Sequence, residues 1–67
     1  MWAELTVNQN LTYIGLLKGL NYDDIQAQGE YLKEILQLEA HQNKLACNLS
    51  GGNKRKLCTA MALMSQP

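Results

Sequence analysis

A chain of 67 residues is at most one small domain, because at this size only about 60% of the unfolded surface is hidden on folding and a core is marginal. Six basic and six acidic residues cancel, which removes any global pull toward nucleic acid or an anionic membrane. The longest apolar and small run, residues 57–65, is far below the ~20 residues that span a bilayer, and residues 1–4 lack the charged and apolar regions of a signal peptide.

The first element opens at Thr6, with Gln9 three residues on to complete a capping box. Val7, Leu11, Ile14 and Leu17 recur at helical spacing, widened by Tyr13, Leu16 and Leu20, and predict a helix over 7–18. Gly15 within it costs about 1 kcal/mol against alanine, so this helix depends on packing. Lys18 suits the negative end of the helix dipole and Gly19 supplies the stop. Asn21 starts a second helix, with Asp23 and Asp24 well placed in its first turn. Ile25, Leu32 and Leu36 share a face flanked by Ile35 and Leu38, predicting an amphipathic helix of roughly 22–38, antiparallel to the first. Gly29 lies on that stripe, where a neighbouring helix can approach, while Gln26, Glu30, Lys33 and Gln37 lie elsewhere on the wheel and Tyr31 reads as a half-buried packing residue.

Residues 39–48 read as a polar loop anchored by Leu45 and Ala46, with His41 an exposed loop residue of no assigned role. Cys47 and Cys58 stand eleven apart with no C-x-x-C unit and a single histidine, so the spacing does not suit a metal. Reduced, packed thiols are expected, with Cys58 on a buried helix face. The triplets Asn10-Leu11-Thr12 and Asn48-Leu49-Ser50 match the N-glycosylation pattern by chance, the first inside a helix. The last helix, about 53–65, carries Leu57, Cys58, Ala60, Met61, Ala62, Leu63 and Met64 on every side. A helix of that kind is normally covered all round. Two amphipathic helices cannot cover it, so the chain reads as incomplete, and Pro67 breaks the helix where a strand is expected next.

Between loop and helix lies Leu49-Ser50-Gly51-Gly52-Asn53, followed by Lys54-Arg55-Lys56. Ser50 caps the helix and Asn53, third in it, makes a shortened capping box. Gly51 and Gly52 carry no Cβ, so a bulky polyanion can approach the backbone at the positive end of the helix dipole. Three cations in the first turn oppose that dipole and make sense if something negative arrives. Residues 49–52 alone also suit an ordinary turn, and the cations a solvated face; the whole of 49–57 is more specific.

Residues 49–57 resemble the LSGGQ signature motif of ATP-binding cassette (ABC) ATPases with its basic helix, in the variant of the A subfamily of ABC transporters. Leu5-Thr6-Val7 is similar to the start of the family's helical subdomain, Trp2 and Glu4 to the end of the segment after its Q-loop, and residues 7–38 to its paired helices. The resemblance implies an all-α fragment of about three helices from an α/β P-loop NTPase domain, with 1–48 in the helical subdomain and 49–67 the signature and following helix. It implies ATP as ligand, bound between the phosphate loop of one nucleotide-binding domain and the signature of a second in a head-to-tail dimer. Ser50 would then bond the γ-phosphate, Gly51 and Gly52 would present N–H groups, and Asn53, replacing the usual glutamine, would line the nucleotide. Lys56 stands where many members have arginine. No catalytic group or metal ligand is implied on this chain, since the phosphate loop, Q-loop glutamine, Walker B strand and switch histidine are absent and Mg2+ would be held elsewhere. Alone, the chain is expected neither to bind nor to hydrolyse ATP. The implied partners are the second nucleotide-binding domain and the transmembrane domains of a parent transporter, with lipid as a possible cargo, no nucleic acid, and a place at the membrane's cytoplasmic side. A soluble ABC ATPase of chromosome maintenance or DNA repair is the alternative; its coiled-coil arms would interrupt the helical region, whereas 7–48 has no heptads. A free-standing three-helix interaction module is the remaining reading.

Overall fold

The computed structural model describes residues 1–64: three α-helices, with no strand among the described residues. Helix α1 spans Val7–Leu17, α2 spans Tyr22–Ile35 and α3 spans Gly51–Met64, with two short 3-10 turns, Glu39–His41 and Ala46–Asn48, in between. The expected all-α class and three helices are what the chain forms. The proline stop at Pro67 and the last residue of the expected 53–65 helix lie outside the described residues.

Helix α1 begins as its sequence predicts. Thr6 Oγ1 accepts the Gln9 N–H at 3.1 Å and Gln9 Oε1 accepts the Thr6 N–H at 2.9 Å, a closed capping box. It ends in a Schellman turn, with the Leu20 N–H on the Gly15 carbonyl and the Gly19 N–H on the Leu16 carbonyl, both at 3.0 Å. Gly19 takes the left-handed conformation that this turn requires, at φ 82°. Helix α2 starts on Asn21, whose Oδ1 accepts the Asp24 N–H at 2.8 Å. It stops at Ile35 instead of reaching 38, because the same turn recurs: the Leu38 N–H bonds the Lys33 carbonyl at 2.8 Å and the Gln37 N–H bonds that of Glu34. Gln37 accepts a left-handed φ of 58° with no glycine to ease it. Turning there buries Leu38 completely, and that packing offsets the strained backbone.

Val7, Leu11, Ile25, Leu32, Ala46, Leu49, Leu57, Ala60, Met61 and Met64 form one core to which all three helices contribute. Asn8 at the start of α1 meets Lys33 near the end of α2, and Gly15 near the end of α1 meets Ile25 near the start of α2, so the pair is antiparallel as expected. The close approach is at Gly15, not at Gly29. A Cβ on Gly15 would lie 2.6 Å from Ile25 Cγ1 and 3.3 Å from Met64 Sδ, so all three helices converge on the missing methyl. A Cβ on Gly29 would find only Met64 Cε at 3.7 Å, an ordinary contact.

Packing selects one stripe of each helix and leaves the rest outside. On α1 the buried set is Val7, Asn10, Leu11 and Gly15, so Leu16 and Leu17 face water. On α3 only Leu57, Ala60, Met61 and Met64 are buried. Cys58, Ala62 and Leu63 make an exposed second face. Cys58 is therefore not packed, nor is Cys47; both thiols are free and exposed. Tyr31 and Leu45 are exposed too, leaving Ala46, Leu38 and Leu49 to anchor the connection. His41 is half-buried, and its Nδ1 has no hydrogen-bond partner among the described residues.

Two buried polar residues complete the frame. Asn10, fully buried on α1, accepts the Trp2 N–H at 2.7 Å and donates to the carbonyls of Trp2, Leu5 and Thr6. Lys33 does not lie on the solvent side of α2: it is only 4% exposed. Its ammonium donates to Asn8 Oδ1 at 2.7 Å, Gln42 Oε1 at 2.8 Å and Glu30 Oε1 at 2.9 Å, which uses all three protons. Residues 42–47 lie as a strap against the N-terminal segment. The Val7 and Asn8 N–H groups bond the carbonyls of Lys44 and Gln42, while the Ala46 and Cys47 N–H groups bond those of Leu5 and Ala3.

Candidate functional site

The strap delivers the chain to Leu49, which is buried, and α3 begins directly behind it. Gly51 and Gly52 are the first two residues of the helix, two earlier than the expected start at 53, with Ser50 in the capping place. Ser50 Oγ accepts the Asn53 N–H at 3.2 Å, and the Ser50 carbonyl accepts the Lys54 N–H at 2.9 Å. The return half of a capping box does not form. The Asn53 side chain is a methylene shorter than glutamine and bonds nothing among the described residues. Buried Leu49 and Leu57 pin the stretch at both ends, and Ser50, Gly51 and Gly52 between them are exposed.

The three helix starts answer the same problem in different ways, since each leaves N–H groups without an intrahelical partner. At α1 the chain answers it: the Val7, Asn8 and Gln9 N–H groups bond the Lys44 carbonyl, the Gln42 carbonyl and Thr6 Oγ1. At α2 the carboxylates of Asp23 and Asp24 sit in the first turn, where they complement the dipole. At α3 neither happens. The Gly51 and Gly52 N–H groups have no partner among the described residues, and no acidic residue lies in the first turn. Lys54, Arg55 and Lys56 stand around this end, and none forms an ion pair among the described residues. A Cβ on Gly51 or on Gly52 would meet nothing within 4 Å, so the space over both backbones is open.

Ser50, Gly51, Gly52 and Asn53, the site residues read from the sequence, are thus contiguous in one exposed turn. Chemically the turn offers free N–H donors, a hydroxyl, an amide and three cations to an anionic ligand.

Comparison with known proteins gives the chain its relatives. Over 64 residues, 96% of its length, the chain is 39% identical to ABC transporter ced-7 of Caenorhabditis elegans. Over 67 residues, its full length, it is 37% identical to human ATP-binding cassette sub-family A member 2. The chain is a relative of ABC transporters. The arginine transport ATP-binding protein ArtP of Escherichia coli strain K12 is also 37% identical, over 68 residues. The chain spans 4% of the length of ced-7, 3% of the A member 2 and 28% of ArtP. No family model matches it. The ABC relatives match the helical pair, the strap and α3 together, so the similarity does not rest on the glycine turn alone.

Sequence reasoning found the turn and missed what holds it. Lys33 stands eight residues after Ile25 and four after Gly29, and Asn10 three after Val7, so both fall beside the apolar stripe. A polar residue bordering the stripe is the available signal of a side chain that is buried and hydrogen-bonded.

Proposed function

We propose that the chain forms part of the ATP-binding domain of an ABC transporter, with 1–48 as its helical subdomain and 49–67 as the signature and following helix. In this reading Ser50 donates its hydroxyl proton to the γ-phosphate of an ATP held by the phosphate loop of a second nucleotide-binding domain. Gly51 and Gly52 donate their free N–H groups to the same phosphate, and Asn53 lines the nucleotide. The single observation that carries the reading is the open start of α3. Two glycines stand in the first turn of a helix, where glycine is a poorer helix former than alanine, and no neighbour among the described residues needs the room. Their N–H groups have no partner and the three cations beside them no ion pair among the described residues, which suits an anionic ligand.

The chain supplies the sensing side of the site only. Each charge-assisted bond from Ser50 or a glycine N–H contributes about 1.5–3 kcal/mol, so two or three of them make nucleotide the link that closes the dimer. Hydrolysis and loss of the γ-phosphate remove that link. Mg2+ and the water-activating groups belong to parts of the domain outside this chain. The helical pair faces transmembrane domains in this reading, and the exposed apolar side chains of Trp2, Tyr13, Leu16 and Leu17 suit such a contact. No helix among the described residues is long and apolar enough to cross a membrane. In the proposed reading the transmembrane partners hold the chain at the cytoplasmic face. A lipid cargo is part of this reading, and the likeness to the A subfamily, which includes a mouse cholesterol transporter, supports it.

The test is Ser50→Arg in the complete nucleotide-binding domain, with a non-hydrolysable ATP analogue and sedimentation as readout. The unsubstituted domain should dimerise with the analogue. The variant should still bind it at the phosphate loop but remain monomeric, because the guanidinium fills the space the phosphate would take. Unchanged dimerisation would remove Ser50 from the interface.

A further inference from the structure

Lys33 is a buried cation that the proposed chemistry does not use. We infer that it is a positioning residue, tying α2 to the strap that sets Ser50 and the glycine turn in place. The inference rests on the reading of Ser50 given above. A buried ammonium is costly unless every proton is bonded, and a lysine with a four-carbon stem ordinarily reaches water instead. Lys33 stays inside with its protons divided among three segments: Asn8 in α1, Glu30 in α2 and Gln42 at the head of the strap. The Glu30 carboxylate is largely exposed, so water screens that ion pair. The two amide oxygens are what hold the ammonium inward.

Gln42 is gripped at both ends. Its side chain accepts from Lys33, and its carbonyl accepts the Asn8 N–H at 3.1 Å. From there the chain is fixed by the Val7 N–H on the Lys44 carbonyl, the Ala46 N–H on the Leu5 carbonyl at 2.8 Å and the Cys47 N–H on the Ala3 carbonyl at 2.9 Å. Buried Leu49 and the Ser50 cap follow directly. A shift of the C-terminal end of α2 therefore passes through Lys33 to the strap, and along the strap to the turn that meets the phosphate. Lysine suits this place because its ammonium can bond three segments at once.

Amide hydrogen exchange of the 67-residue chain tests the tie without nucleotide, so its outcome is independent of whether Ser50 meets ATP. In Lys33→Met the amides of Ala46, Cys47 and Asn53 should exchange about tenfold faster relative to the helix-interior amides of Leu11 and Leu32, a local opening and not a global one. Lys33→Arg, which keeps the donors, should restore most of that protection. Gln42→Ala, a gentler change on the strap side, should reproduce the pattern at about threefold. Equal acceleration of strap and helix amides in both Lys33→Met and Gln42→Ala would make Lys33 a general stabiliser and overturn the inference. So would an unprotected Cys47 amide in the unsubstituted chain, or a strap indifferent to both substitutions.

Discussion

The starts of α1 and α3 are alike in sequence logic and opposite in outcome. Each has a hydroxyl residue in the capping place, Thr6 or Ser50, whose oxygen accepts the N–H three residues on. At α1 the remaining N–H groups are taken up by carbonyls of the strap, and Asn10 one turn in binds the preceding segment. That end is closed, and each polar group in it has a structural duty. At α3 the N–H groups of Gly51 and Gly52 are left over, under open space and among cations that form no ion pair among the described residues. Polar groups consumed within a chain hold its fold; those left unconsumed in a well-anchored turn are available to a ligand.

The largest test of the contrast is at the closed end. Asn10→Ala removes a fully buried amide, leaves the Trp2 N–H without its acceptor and opens a small void, a loss of about 2–4 kcal/mol. For a chain of this size that is a large share of the stability available. Thermal melts followed by circular dichroism should show it, with the fluorescence of Trp2, the single tryptophan, shifting to the red before the helices melt. A variant as stable as the parent would mean that the closed end is not clamped by Asn10.

Glycine to alanine sharpens the contrast because one substitution should act with opposite signs. In Gly15→Ala the new methyl sits 2.6 Å from a buried, branched isoleucine, and the overpacking costs about 1–3 kcal/mol. In Gly51→Ala the methyl meets nothing, so the helix gains about 0.5–1 kcal/mol from the lost freedom of the unfolded chain. Urea titration of both variants beside the parent reads the two signs. If Gly51→Ala also destabilises, the glycine serves the fold and the case for a ligand over that turn is lost.

Much of this was legible in the sequence where the signal is local. Thr6 with Gln9, Asn21 before two aspartates, and Gly19 after Lys18 all act where their side chains or backbone require. The glycine turn was legible for the same reason, since capping and the absence of Cβ need no distant partner. What was not legible depends on which faces meet. Helix α2 stops at Ile35 because burying Leu38 outweighs an unfavourable φ at Gln37, a balance no local rule contains. Gly15 and Gly29 both sit inside helices that the sequence predicts, and what distinguishes them is Ile25 of α2, which closes on Gly15, whereas Met64 of α3 lies near both. Helix α3 is apolar all round, so its sequence does not say which side is chosen; packing took Leu57, Ala60, Met61 and Met64 and left Cys58 and Leu63 outside. Lys33 was misplaced because a lysine is read as solvated unless its partners are known, and two of these come from α1 and the strap.

The smallest effect bears most directly on why α3 starts as it does. Lys54 stands in the first turn, where a positive charge opposes the exposed N–H groups, and it has no acidic partner among the described residues. Reversing its sign in Lys54→Glu should raise the stability of the chain by about 0.3–1 kcal/mol at low salt. Half a molar salt should erase most of the gain, since the Debye length then falls to roughly 4 Å. Thermal melts at two ionic strengths measure both. A cation that weakens its own helix is intelligible as part of an anion site and unnecessary as a part of the fold. A loss of stability in Lys54→Glu would show instead that the lysine already has a favourable place within the chain, and would remove the electrostatic half of the contrast between the two helix starts.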